Sequence, residues 1–383
     1  MTRHWSLHCS NCDVQTDAEG LHTVCSECGA PWLVHYDAAP EPSVKSRLAG
    51  RPWSMWRYLE WLPLTRGMEP TTLGEGGTPL VRATSLGRAL GVDSLWIKDE
   101  ATNPTASFKA RGMSAAVTLA QHSGTTALTV PTAGNAGVAL SAYGRRAGLP
   151  VTVFAPETTP PRILEQIRTF GAELHLLDGH IGDCGRAARA HAKTSGAFDV
   201  STLREPYRIE GKKTLGLEIA EQLGWRFPDA VIYPTGGGTG LIGMWIAFRE
   251  LLAAGWVKGT PPRLYSVQST GCAPVVRAFE AGAKRTEPWE DPWTVASGLR
   301  VPTPLGGAII LRALRETNGV AVAVTDPDLE EGTNRMATTE GIDACPEGGA
   351  TLRAFERLLQ SGSILPSEET VLFNTGAGWL YRS

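Results

Sequence analysis

The run Ala230-Val-Ile-Tyr-Pro-Thr-Gly-Gly-Gly-Thr-Gly-Leu-Ile-Gly-Met-Trp-Ile-Ala-Phe-Arg-Glu-Leu-Leu-Ala-Ala254 changes character twice. Its first four residues are continuously apolar, as a strand covered on both faces must be, and residues 241–254 carry apolar side chains at helical spacing. The glycines between them form a turn. A strand, a glycine turn and a helix make one βα unit, and the same alternation recurs along the chain. Strands are expected at 95–98, 127–130, 151–155, 173–177, 230–233, 264–268, 320–324 and 370–373. Helices are expected at 84–90, 110–121, 138–147, 161–170, 183–195, 214–223, 241–254, 328–340 and 350–361. The fold class is therefore α/β with mostly parallel sheets, and ligands on such sheets sit at the carboxyl ends of the strands.

Loops at those ends have unusual compositions. Pro131-Thr-Ala-Gly-Asn-Ala-Gly137 joins a strand to a helix, and its small residues let the backbone approach an anion at the helix N-terminus. Asn135 can donate to an oxygen of a bound ring, or can simply cap the helix. Pro234-Thr-Gly-Gly-Gly-Thr-Gly240 offers backbone N–H groups and the Thr239 hydroxyl to a phosphate. Gly238-Thr-Gly-Leu-Ile-Gly243 also fits GxGxxG, but a nicotinamide dinucleotide site needs an acid at the end of the next strand, where Gln268-Ser-Thr270 stands. Asn374-Thr-Gly-Ala-Gly378 follows the last strand and places Thr375 at its end.

A further stretch, Lys98-Asp-Glu-Ala-Thr-Asn-Pro-Thr-Ala-Ser-Phe-Lys-Ala-Arg-Gly112, holds Lys109 between Phe108 and Ala110 at the mouth of a helix. Most lysines are solvated surface charges. A partly desolvated one can lose its proton or condense with a carbonyl. A lysine amine, an asparagine loop, a phosphate cradle and a hydroxyl together suit pyridoxal 5'-phosphate. Lys109 would hold the aldehyde beside Phe108, Gly236, Gly237, Gly238, Thr239 and Gly240 the phosphate, Asn135 the phenolic oxygen and Thr375 the ring nitrogen. A neutral hydroxyl leaves that nitrogen largely unprotonated, which favours elimination and replacement over transamination.

The 383 residues carry a net charge of −3 with 42% hydrophobic and 20% charged residues, so they form a globular protein rather than a disordered one and lack the basic excess of a nucleic-acid binder. No apolar run approaches the roughly 18 residues of a membrane span, and the N-terminus lacks the apolar core of a signal peptide, so a cytoplasmic protein is expected. Of the seven cysteines, Cys9, Cys12, Cys25 and Cys28 form two CxxC knuckles. Their spacing suits a zinc ribbon over 1–36, with a rubredoxin-like iron site or coincidental reduced thiols as the alternatives. Four thiolates leave no position for water, so the zinc is expected to be structural. Cys184, Cys272 and Cys345 read as inert buried thiols, and His8 and His22 as bystanders. Prolines and Trp53, Trp56 and Trp61 between 36 and 73 suggest an arm with a short helix at 55–61, its aromatics packed in a core.

In their joint order, the CxxC pair, GEGGTPL at 74–80, NPTASFKARG around Lys109, TAGNAG around Asn135, PTGGGTG and NTGAG resemble the fold-type II pyridoxal-phosphate enzymes. The resemblance is greatest to threonine synthases and threonine synthase-like proteins. It implies two doubly wound, mostly parallel sheet domains beside the ribbon: 37–111 as arm and first part of a large domain, 112–224 as a small mobile domain closing over substrate, and 225–383 as the rest. It implies Lys109 as cofactor lysine and principal base, and Thr132, Ala133, Gly134, Asn135 and Ala136 as receivers of an amino acid carboxylate. The implied reaction takes O-phosphohomoserine and water to threonine and phosphate. Serine/threonine dehydratases and cysteate synthase-like β-replacement enzymes are the alternatives. Ala106 stands where threonine synthases carry Gly, Ala110 where they carry Asp, and Trp379-Leu380 where they carry Leu-Lys. Arg111, Thr158, Thr159 and Arg162 are candidates for a substrate phosphate, with surface or helix-start roles open for the last three. The expected partner is a small amino acid, phosphorylated or not, and the oligomeric state stays open with a homodimer as one option.

Overall fold

In chain order the strands of the computed structural model, which describes residues 4–382, are β1 (Trp5–Cys9), β2 (Gln15–Asp17), β3 (Trp32–Tyr36), β4 (Leu80–Arg82), β5 (Leu95–Asp99), β6 (Leu128–Pro131), β7 (Val151–Pro156), β8 (Glu173–Leu177), β9 (Phe198–Asp199), β10 (Ala230–Pro234), β11 (Arg263–Ser269), β12 (Ala321–Val324) and β13 (Thr370–Asn374). Every strand expected from the apolar runs forms, within a residue at either end. The chain divides into two units: one holds the chain through Gly76 and again Lys109–Thr214, the other Gly77–Phe108 and Leu215–Arg382.

In the second unit the sheet order is β12-β11-β10-β13-β5-β4, parallel throughout except for β4, which runs antiparallel to β5 at the edge. All residues of β10 and β13 are buried, which is why Ala230–Tyr233 and Val371–Phe373 read as continuous apolar runs rather than alternations. Ile97, Ile232, Val267, Leu372 and Phe355 belong to one core cluster, with Phe355 contributed by the helix Pro346–Gln360. Beneath it lies a buried ion pair. Lys98 Nζ donates to Glu218 Oε2 at 2.9 Å, to Gln222 Oε1 at 2.9 Å and to the Thr78 carbonyl at 2.7 Å, while Glu218 Oε1 accepts the Gly77 N–H at 2.8 Å.

The first unit contains the parallel sheet β8-β7-β6-β9 and the antiparallel ribbon β2-β1-β3. Alternate residues of β1 and β3 turn inward, so Trp5, Leu7, Trp32, Val34 and Tyr36 form one face that clusters with Leu119 and Tyr207. The helix Lys109–His122 is buried without interruption from Ala110 to Ala120. Its small residues allow neighbours to approach from all sides, as in an interior helix.

The helices depart from expectation mainly at their starts. Asn135–Arg146 and Thr239–Ala253 begin inside the loops expected to precede them, so Asn135 and Thr239 are first-turn helical residues. Tyr207–Gln222 begins well before 214. Its first turns are charged, yet Arg208, Glu210, Lys212 and Lys213 are all buried, with Glu210 accepting from Lys213 Nζ at 2.7 Å and from the Tyr36 hydroxyl at 2.5 Å. Paired charges there take core positions, which hides the helical period. Pro274–Glu280 and Gly307–Glu316 were not expected from the sequence, their starts being masked by Pro and Gly. Residues 55–61 form a 3-10 rather than an α-helix. Trp56 and Trp61 are buried as expected, whereas Trp53 is exposed, with the Arg57 guanidinium 4.0 Å from its ring centre. Among the described residues no helix is long and apolar enough to cross a membrane.

Candidate active site

In the second unit three of the expected loops converge. The segment before Lys109 pairs with the loop after β13: Ser107 bridges Gly376, the Phe108 N–H donates to the Thr375 carbonyl at 3.0 Å, and the Ala377 N–H donates to the Ala106 carbonyl at 2.9 Å. The Phe108 ring meets the edge of Tyr233, 6.0 Å between centres, on the strand that feeds the glycine loop. Phe108, Thr375 and the root of PTGGGTG are thus neighbours, although they lie far apart in sequence. Asn103 anchors the turn from below, its amide donating to the Glu100 carbonyl and to Glu100 Oε2 at 2.8 and 2.9 Å.

The glycine loop owes its composition to close packing. A side chain on Gly236 would meet the Gly298 carbonyl at 2.1 Å, and one on Gly240 the Tyr233 hydroxyl at 2.0 Å. Gly238 caps the helix Thr239–Ala253 with φ of 76° and no side-chain hydrogen bond, so the first-turn N–H groups are left for an anion. Thr375 is buried, and its hydroxyl lies 3.6 Å from the Cys345 Sγ. Burial pushes the Cys345 thiol well above its ordinary range, so the neighbour of Thr375 stays protonated and uncharged. Glu347, at 4% exposure, accepts the Gly298 N–H at 2.8 Å, and Asn374 donates to Asp99 Oδ1 at 2.8 Å. For Glu347 the sequence offers only Cys-Pro-Glu-Gly-Gly, which looks like a turn, whereas Asn374 opens the NTGAG loop that the sequence singles out.

In the first unit Lys109, half-buried, opens the helix Lys109–His122, and Asn135 opens Asn135–Arg146. The Thr132 hydroxyl accepts the N–H groups of Gly134 and Gly137 at 3.0 and 3.1 Å, so it braces the TAGNAG loop from inside. Arg111 is fully buried and donates to the Thr214 hydroxyl at 3.0 Å. Thr158 and Arg162 are exposed, and Thr159 is buried.

The four ribbon sulfurs lie within 4.8 Å of one another. Cys9 and Cys28 are 3.4 Å apart, Cys12 and Cys28 3.5 Å, and Cys12 and Cys25 3.8 Å. A tetrahedral zinc shell with bonds of about 2.3 Å puts its sulfurs roughly 3.8 Å apart, so the cluster fits that ion. His8 stacks on His35 at 4.3 Å, and His22 bonds the Glu19 carbonyl at 2.8 Å, both outside the cluster. Cys184, Cys272 and Cys345 are buried, and burial raises all three thiols.

A family model described as pyridoxal-phosphate dependent enzyme matches residues 71–376. The chain belongs to this family. A threonine synthase of Methanosarcina acetivorans is 32% identical over 97% of this chain and 91% of its own length. One of Methanocaldococcus jannaschii is 33% identical over the same shares. Maize serine racemase superposes with a TM-score of 0.67 at 20% identity, covering 79% of this chain and 88% of that one, a likeness of fold. The protein is a threonine synthase-like, pyridoxal-phosphate-dependent lyase of fold type II.

In the second unit, a helix N-terminus without a side-chain cap suits the phosphate of the family's cofactor, and the buried Thr375 hydroxyl beside an uncharged thiol suits its ring nitrogen. Ala106 adds a strained point beside them. Its φ of 52° is left-handed, a region that costs a residue with a Cβ about 1–2 kcal/mol. Ala106→Gly relieves that strain while adding unfolded-state freedom, for an expected net gain of about 0.5–1 kcal/mol. Thermal unfolding of the two proteins side by side checks this; a lower midpoint for the glycine variant contradicts it.

Proposed function

We propose that this lyase converts O-phosphohomoserine and water to threonine and inorganic phosphate. The observation that carries the reading is the similarity to threonine synthases along 97% of the chain, ribbon included. Bound pyridoxal phosphate would supply the electron sink that makes the substrate's α and β protons removable. Lys109 holds it and moves those protons at its Nζ. Gly236 to Gly240 bind the cofactor's phosphate through N–H groups, Asn135 orients the ring and Thr375 meets its nitrogen as a neutral hydroxyl. Thr132 to Ala136 receive the substrate carboxylate. Cys9, Cys12, Cys25 and Cys28 hold a structural zinc.

A second reading rests on Ala110, fully buried where a synthase carries a carboxylate, and on Trp379-Leu380 in place of a lysine-bearing pair. It makes the enzyme a dehydratase or a β-replacement enzyme. Incubating purified, cofactor-loaded protein with O-phosphohomoserine and assaying phosphate and threonine separates the two. Equimolar products support the synthase; 2-oxo acid and ammonia from threonine or serine, with no phosphate release, replace it with the second reading. Metal analysis of the same preparation is expected to give one zinc per chain, and iron in its place overturns that assignment.

A further inference from the structure

Glu75, in the GEGGTPL turn, is fully buried and belongs to none of the groups assigned above. Its two oxygens are shared among several donors of the first unit. Oε1 accepts Trp56 Nε1 at 2.6 Å and the Ser114 hydroxyl at 2.5 Å. Oε2 accepts the Tyr143 hydroxyl at 2.6 Å, the Leu73 N–H at 2.9 Å and the Thr72 hydroxyl at 3.2 Å. A buried carboxylate is tolerated only when its lone pairs are satisfied, and charge-assisted bonds of this kind are the stronger ones. Two of the donors matter for the site. Ser114 stands little more than one turn beyond Lys109 on the same helix, and Tyr143 stands two turns beyond Asn135 on its helix. Burial and the Glu75 charge hold the Tyr143 phenol far above its ordinary range, so it stays a donor.

We propose that Glu75 is a positioning residue that clamps together the helix presenting Lys109 and the helix presenting Asn135, one through each carboxylate oxygen. This rests on the proposed roles of those two residues. A side chain that only fills space would be indifferent to which helix it touches. A clamp with one oxygen on each has two separable effects, because the Ser114 arm bears on the lysine and the Tyr143 arm on the carboxylate-receiving loop.

The test removes one arm at a time. In Ser114→Ala, the dissociation constant for pyridoxal phosphate is expected to rise on the order of tenfold, the size of one lost hydrogen bond to a charged group, and the visible band of the bound cofactor to shift, with substrate KM nearly unchanged. In Tyr143→Phe, KM is expected to rise by about the same factor with the band in place. Glu75→Leu, which removes both acceptor oxygens, is expected to show both. If the single variants lower the melting temperature alike while band and KM stay at wild-type values, or if both move the same readout, the clamp is wrong. A wild-type protein that takes up no pyridoxal phosphate refutes the proposed function instead. Hydrogen exchange then reads the clamp directly: faster exchange at 110–113 only in Ser114→Ala and at 136–139 only in Tyr143→Phe supports it, and equal change in both overturns it.

Discussion

Lys109→Ala is expected to lose at least about a thousandfold in turnover, the range of a removed general base compounded by loss of the covalent attachment point. The visible band of bound pyridoxal phosphate should vanish or revert to that of the free aldehyde. The physical case lies in the lysine's position. Phe108, its chain neighbour, is pinned by the Thr375 carbonyl and packed on Tyr233, and Lys109 itself begins a helix buried from Ala110 to Ala120. Lys109→Arg should fare no better, since a guanidinium keeps its proton. An absorbance scan and a turnover assay on the three proteins decide the matter. An unchanged band in Lys109→Ala would falsify the cofactor assignment.

Glu218→Ala is expected to produce the largest loss of stability. Lys98 and Glu218 have fully buried side chains, and removing the carboxylate takes away the ion-pair partner of a desolvated ammonium and the acceptor of the Gly77 N–H. Breaking such a pair from one side costs about 3–5 kcal/mol. That corresponds to a drop in melting temperature on the order of 10 °C for a unit of this size. Replacing both partners together, Lys98→Met with Glu218→Leu, should recover most of the loss, because the cost arises from the stranded charge rather than from the missing attraction. Thermal unfolding of the single and double variants checks both. A double variant no more stable than Glu218→Ala would show that the hydrogen bonds to Gly77 and Thr78 matter more than the charge.

The sheets were legible because strands of a parallel sheet covered on both faces carry continuous apolar runs, here Ala230–Tyr233 in β10 and Val371–Phe373 in β13. The ribbon was legible because metal-ligand spacing is a local property of the chain. The charged start of Tyr207–Gln222 was not. Its Glu210 and Lys213 satisfy each other and Tyr36, and nothing in the local sequence announces a partner so far away. Helix starts at Asn135 and Thr239 were placed late for a related reason, since glycine and asparagine signal turns unless tertiary packing holds them helical.

By itself the sequence determined the α/β class, the four-thiol ribbon and the order of the loops that bear on pyridoxal phosphate, because each depends on residues close together in the chain. Tertiary structure alone decided that the residues before Lys109 pair with those around Thr375, that Arg111 is tied to Thr214, and that Glu75 joins the helices of Lys109 and Asn135. Those are hydrogen bonds between distant segments, and a buried donor or acceptor takes whichever partner the fold brings within reach.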